Sequence, residues 1–246
     1  MSSEIHLGSW LSIGSPVIAE LAADAGFHWL LIDLEHGCTS EAAVPDQLRA
    51  FRGSAAKPIV RVPAPDADRI ARVLDWGAHG IMVPHVNSAA EATACVRAMR
   101  YPPLGHRGVS RSVRAYGYGT KPFPGETAPV LLAQIETWEG VSNVEAIAAV
   151  DGVDVLFVGP ADLQFDLKSR PQATLDYASC LKRVVAAAVD AGKECGILCR
   201  DAADLETLIN AGFRWVAVDS DLSLLRAGYQ RWIRQAAEIA GRRDPL

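Results

Sequence analysis

The sequence predicts an α/β fold of the closed (β/α)8 type, a TIM barrel, forming one domain over residues 1–246. Three observations carry this expectation. Eight short apolar runs alternate with amphipathic stretches, and runs such as Phe27–Asp33 are nearly continuously apolar, as parallel strands covered by helices should be. A turn in which a helix ends at glycine and a strand begins within three residues recurs at Ala25-Gly26-Phe27, Ala211-Gly212-Phe213 and, more loosely, at 77–80 and 151–154. Finally, an open doubly wound sheet would normally carry a Gly-rich phosphate turn after its first strand, and no G-x-G-x-x-G occurs.

The elements follow in order. HLGSWLS (6–12) reads as strand one, and 16–24 has helical spacing before Gly26 stops it. Strand two is 27–33, followed by a helix over about 41–52; strand three is PIVRVP (58–63), with a helix over 66–76. GIMVPHV (80–86) is strand four, and Ser88 can cap the helix that presents Ala92, Val96 and Met99 on one face. Residues 130–163 hold strands five and six around a short polar helix. A helix over about 175–191 ends at Gly192, ECGILC (194–199) is strand seven, and a helix over 202–210 leads to strand eight, RWVAVDS (214–220). The last helix, 222–240, carries Leu224, Leu225, Trp232 and Ile239, free to cover the barrel or to pack on a neighbour.

Composition excludes several functions. A net charge of −5 without basic clusters argues against nucleic acid as a partner. No apolar run approaches the ~18 residues of a membrane span, and nothing at the N-terminus resembles a signal peptide. Five cysteines without paired spacing suit reduced thiols, so a soluble, cytoplasmic protein is expected; Cys195 and Cys199 share one strand face and are read as packing.

Chemistry in such a barrel sits at the carboxyl ends of the strands. Glu136 and Asp162 stand at or just past the ends of strands five and six. Either alone could be a helix cap or a solvated charge. Together, as oxygen ligands without His or Cys beside them, they suit a hard divalent cation that keeps waters for a substrate to displace. Strand two delivers Asp33, Glu35 and His36. His36 is the candidate general base or acid, Asp33 is placed to fix its tautomer, and Glu35 to brace the loop. Arg61, a permanent charge in an apolar strand, calls for an anion: an internal carboxylate, a substrate carboxylate, or an oxygen on which charge develops. Strand four brings Pro84 and His85, and strands five and six also bring Gln134 and Gly159. In the long connection 101–119, Arg107, Arg111 and Tyr116 are candidates to read the far end of a substrate. No lysine falls at a carboxyl end, which argues against Schiff-base chemistry, and nucleophile-elbow, P-loop and H-E-x-x-H motifs are missing.

Taken in order, GSW, GFHWLLIDLEHG, PIVRVP, GIMVPHV, YPPLGHRGVS, QIET and VGPADL span nearly the whole chain, and together they resemble the HpcH/HpaI family of metal-dependent (class II) pyruvate aldolases. The resemblance implies reversible cleavage of a 4-hydroxy-2-oxo acid, of the 2-keto-3-deoxy type, to pyruvate and an aldehyde through a metal-bound enolate. It implies Glu136 and Asp162 as ligands of Mg²⁺, Mn²⁺ or Co²⁺, with the backbone of Gly159, Pro160 and Ala161 holding the pyruvate carboxylate. It further implies Arg61 at the enolate oxygen, His36 with Asp33 as an acid/base dyad, and Trp10 and Gln134 lining the pocket. Family members form hexamers, often trimers of dimers with an exchanged C-terminal helix, and Asp75 matches a position supplied by a neighbouring subunit. Alternatives are a lyase or decarboxylase acting on oxaloacetate-like substrates and a non-catalytic barrel that binds a keto acid. The aldehyde, the native metal, the role of His85 and any role of Glu35 beyond bracing the loop are not read from the sequence.

Overall fold

Runs rich in Val, Ile and Leu, apolar on both faces, form strands that need cover on both sides, and eight of them close on one another. The computed structural model describes residues 4–123, 128–170 and 173–241. Its strands are β1 (His6–Leu11), β2 (Trp29–Asp33), β3 (Lys57–Arg61), β4 (Gly80–Val83), β5 (Val130–Ile135), β6 (Val155–Val158), β7 (Glu194–Cys199) and β8 (Trp215–Ser220). Each pairs in parallel with its sequence neighbours, and β1 also pairs with β8, so the barrel is closed in chain order.

Ten α-helices surround the strands among the described residues: α1 (Pro16–Asp24), α2 (Val44–Ala50), α3 (Ala67–Asp75), α4 (Ala89–Met99), α5 (Trp138–Ser142), α6 (Val144–Ala148), α7 (Pro160–Ser169), α8 (Tyr177–Asp190), α9 (Leu205–Asn210) and α10 (Asp221–Gly241). Eight were predicted. The polar segment between β5 and β6 breaks at Asn143 into two short helices, and α7 is an extra helix ahead of α8, begun by Pro160 in its first turn. Ser88 caps α4 as predicted, in a full capping box with Glu91. Gly26 ends α1 at φ +96°, a conformation that any side chain would strain.

Alternation along the strands explains the two layers of core. Leu30 and Ile32 turn outward to the helices, whereas Trp29 and Leu31 turn inward with Trp10, Ile59, Leu132 and Phe157. Asp33 continues the inward series two residues after Leu31; Arg61 does so after Ile59, Gln134 after Leu132 and Gly159 after Phe157. Parity therefore aims these residues at the barrel axis, and their position places them at its carboxyl mouth. Beneath them Phe157 packs against Trp10 at 5.6 Å and Trp29 at 5.9 Å between ring centres, so the floor of the mouth is aromatic. Lys57 opens β3 and Lys193 precedes β7, both at the opposite mouth. Cys195 and Cys199 are buried, free and packed in the outer layer. No helix among the described residues is long and apolar enough to cross a membrane.

Candidate active site

Glu136 follows β5 directly and is 2 % exposed. Its Oε1 accepts the His85 backbone N–H at 2.8 Å and lies 3.2 Å from His85 Nδ1, while Oε2 accepts from Gln134 Nε2 at 2.5 Å. Burial is the main cause holding its carboxyl above the ordinary carboxylate value; the ring and N–H of His85 oppose the rise, and Asp162 and Glu35 add to it. β4 ends at Val83 rather than running to Val86 as predicted. After Pro84 the backbone of His85 enters the left-handed region at φ 52°, a strained conformation for a non-glycine residue.

Asp162, read from the sequence as at or just past the end of strand six, stands in the first turn of α7, because β6 stops at Val158 and Pro160 begins the helix. The bend at Gly159 brings backbone against Glu136: a Cβ there would lie 2.2 Å from Glu136 Oε2 and 2.8 Å from Gln134 Nε2. Gln134 Oε1 is buried and accepts no hydrogen bond. Among the described residues no group of three or more His, Cys, Asp and Glu side chains forms a closed metal cage. A pair of carboxylates beside an unpartnered amide oxygen fits a hard divalent cation with coordination positions left for water or substrate, not a structural zinc site.

Arg61 answers the question its sequence position posed, and the anions are internal. Nε and Nη2 donate to Asp33 Oδ1 and Oδ2 at 2.9 and 2.7 Å, and Nη1 lies 2.9 Å from Glu35 Oε2. Burial works against its charge, but Asp33 foremost, then Glu35 and Glu136, outweigh burial and leave its pKa raised. Its Cζ sits 5.6 Å from the centre of the Trp10 ring.

The expected pairing of the Asp33 carboxylate with the His36 ring is not formed. Asp33 Oδ1 instead accepts the backbone N–H groups of Glu35 and His36 at 3.0 and 3.3 Å, while both its oxygens take Arg61. The His36 ring is 69 % exposed and turns to Glu35, with Nε2 at 3.8 Å from Oε1; His85 Nε2 lies 3.7 Å from the same oxygen. Short loops at strand ends make this possible: a carboxylate two residues before a backbone N–H closes a local turn onto it.

A cavity of about 190 Å³ opens at this mouth. Trp10, Asp33, His36, Arg61, Gln134, Gly159, Pro160, Ala161 and Asp162 line it, and Glu136 stands behind Gln134 and Gly159.

Residues 6–227 match the family described as HpcH/HpaI aldolase/citrate lyase. The chain belongs to this family. It is 40 % identical over 234 residues to a 5-keto-4-deoxy-D-glucarate aldolase of Salmonella arizonae, covering 94 % of this chain and 91 % of that protein. It is 41 % identical over 227 residues to a hydroxypyruvate/pyruvate aldolase of Roseobacter denitrificans, covering 90 % and 89 %. A crystal structure of a family member from Burkholderia cenocepacia J2315 superposes with a TM-score of 0.89 at 37 % identity, covering 96 % of each chain.

Members of the HpcH/HpaI family thus share this barrel, and several features of its mouth here were missed in the sequence. Glu35 lies between Arg61, His36 and His85, more than a loop brace. Arg200, just past β7, and Asp219 and Ser220 at the end of β8 also line the cavity; extending the strand-end rule to strands seven and eight would have found them. Conversely, Arg107, Arg111 and Tyr116 do not line this chain's cavity. Arg107 is buried, donates to Asp75 Oδ1 at 2.6 Å and stacks on Tyr101 at 4.8 Å, while Tyr116 is buried with its hydroxyl on that of Tyr101. The aromatic and charged character that suggested recognition of a substrate serves to fix the loop.

Proposed function

We propose that this mouth catalyses the reversible aldol cleavage of a 4-hydroxy-2-oxo acid of the 2-keto-3-deoxy type to pyruvate and an aldehyde. The observation that carries the proposal is Glu136: a buried carboxylate held by the His85 backbone N–H and the Gln134 amide, beside a second carboxylate, an amide oxygen without a donor and a glycine whose missing side chain leaves room. Glu136 and Asp162 would hold Mg²⁺, Mn²⁺ or Co²⁺, which when bound supplies Lewis-acid polarisation of the keto group worth several kcal/mol. The backbone of Gly159, Pro160 and Ala161, at the N-terminus of α7, holds the substrate carboxylate; Pro160 has no N–H and that of Gly159 goes to Ile135, so the donors are the N–H groups of Ala161 and Asp162, helped by the positive end of the helix dipole. Trp10 and Gln134 form the walls that orient the chain.

Arg61, kept rigid by Asp33 and Glu35, faces the keto oxygen and stabilises the charge that grows there as the C3–C4 bond breaks. His36 takes the proton of the C4 hydroxyl, the electron pair of the breaking bond passes into the pyruvate enolate, and the aldehyde leaves. A proton delivered to C3 completes pyruvate. Asp33 acts through its neighbours, positioning Arg61 and the His36 backbone. Glu35 Oε1, 3.8 Å from Nε2, orients the His36 ring.

The same enolate would arise from oxaloacetate by loss of carbon dioxide, so a secondary decarboxylase activity fits the site. We further propose a cytoplasmic homo-oligomer, a hexamer arranged as a trimer of dimers; the free cysteines and the exposed apolar residues of α10 support this. In the decisive test, pyruvate and a short aldehyde are incubated with protein stripped by chelator and then given each metal in turn. A new 4-hydroxy-2-oxo acid formed only with added metal is expected. Condensation at full rate without metal would contradict the assignment of Glu136 and Asp162.

A further inference from the structure

Two guanidinium groups border the cavity, and they are in opposite circumstances. Arg61 is buried and clamped at the inner end by Asp33 and Glu35, so it cannot reach a distant part of the substrate. Arg200, immediately after β7, lines the same cavity, is exposed, and among the described residues has no hydrogen bond or ion pair. The cavity also has a direction. Its inner end is the buried Gln134 and Glu136 beside Gly159; its outer rim is Arg200, Asp219 and Ser220 at the ends of β7 and β8, with Leu222 at the start of α10.

Resting on the aldolase assignment above, we infer that Arg200 is the specificity-determining residue for the acceptor aldehyde and binds a terminal carboxylate on it. With the keto acid anchored at the inner end, the far end of a short aldehyde must lie toward the rim. There a planar guanidinium offers paired donors that match a carboxylate. Arg200 is the one free cation lining the cavity among the described residues, since the other two groups that can carry positive charge, Arg61 and His36, face Glu35. Asp219 on the same rim is a like charge to the incoming carboxylate, and it stands on left-handed backbone at φ 47°, which Asn tolerates as well as Asp.

The test compares two acceptors of equal chain length with pyruvate and metal: succinic semialdehyde, which ends in a carboxylate, and butyraldehyde, which does not. Wild-type protein should prefer the carboxylated acceptor in kcat/KM by about 10- to 100-fold, the range of a hydrogen-bonded charge contact. In Arg200→Gln the ratio should fall toward one through a raised KM for succinic semialdehyde, Arg200→Lys should restore part of it, and Asp219→Asn should increase it. Equal losses for both acceptors in Arg200→Gln, or a wild type without preference, overturn the role of Arg200 while leaving the aldolase assignment standing. Failure of the wild type to condense either acceptor, together with no metal-dependent exchange of pyruvate methyl protons, overturns the assignment and this inference with it.

Discussion

Glu136 and Gly159 show how much of the site depends on single residues. The Gly159 hydrogen faces the Glu136 carboxylate at a distance where a methyl group cannot fit. Gly159→Ala should therefore push the carboxylate off its position and cut turnover by on the order of 10²-fold, a loss typical of misplacement by about 1 Å. Its thermal unfolding should change far less, and a loss of stability matching the loss of activity would count against a positional effect. His36→Ala should lower kcat by on the order of 10² or more in steady-state assays if the imidazole carries the proton; turnover near the wild-type rate would remove it from the mechanism. Arg61→Ala leaves the buried Asp33 and the largely covered Glu35 carboxylate without their cation, a change expected to cost about 3–5 kcal/mol in denaturant unfolding, as breaking buried pairs does.

At the scale of elements, the strands and most helices were legible because burial on both faces and glycine stops are written locally. The inward parity of Asp33, Arg61 and Gln134 follows from counting in twos along apolar strands, so these residues of the barrel mouth are readable in the amino-acid sequence. Contacts between elements were not legible. Asp33 bonds Arg61 across the β2–β3 pair instead of the His36 ring next to it in sequence, and nothing in either segment ranks those partners. Arg107 likewise finds Asp75, which is 32 residues away. At the N-terminal end of β4, burial, and then the charge of Lys57, hold the His79 imidazole below 6.5. The unfolded chain gains this proton as pH falls through about 6.5 while the folded chain does not, so the group withdraws stability as pH drops from 7 toward its folded pKa. His79→Gln should flatten that part of a stability profile; an unchanged slope would show that other groups set it.

For the whole molecule, α10 is the feature that a single chain leaves unexplained. It leaves Leu222, Leu224, Tyr229, Trp232, Ile233 and Ile239 exposed, while its first residue, Asp221, is buried and accepts the Ser12 and Ile13 backbone N–H groups at 2.9 and 3.1 Å. The helix is thus rooted at the mouth and apolar beyond it, which suits packing on another copy. Trp232→Glu with Ile233→Lys should shift sedimentation toward smaller species, and an unchanged sedimentation coefficient would show that this face of α10 joins no second copy. The central claim concerns the inner end of the cavity and does not need the physiological aldehyde. Its most direct test is proton NMR of pyruvate in D₂O with the protein and Mg²⁺, Mn²⁺ or Co²⁺, against a chelator control and Glu136→Gln. Methyl-proton exchange that needs both the metal and Glu136 is the predicted result; exchange that persists in the chelator, or in Glu136→Gln at the wild-type rate, would contradict it.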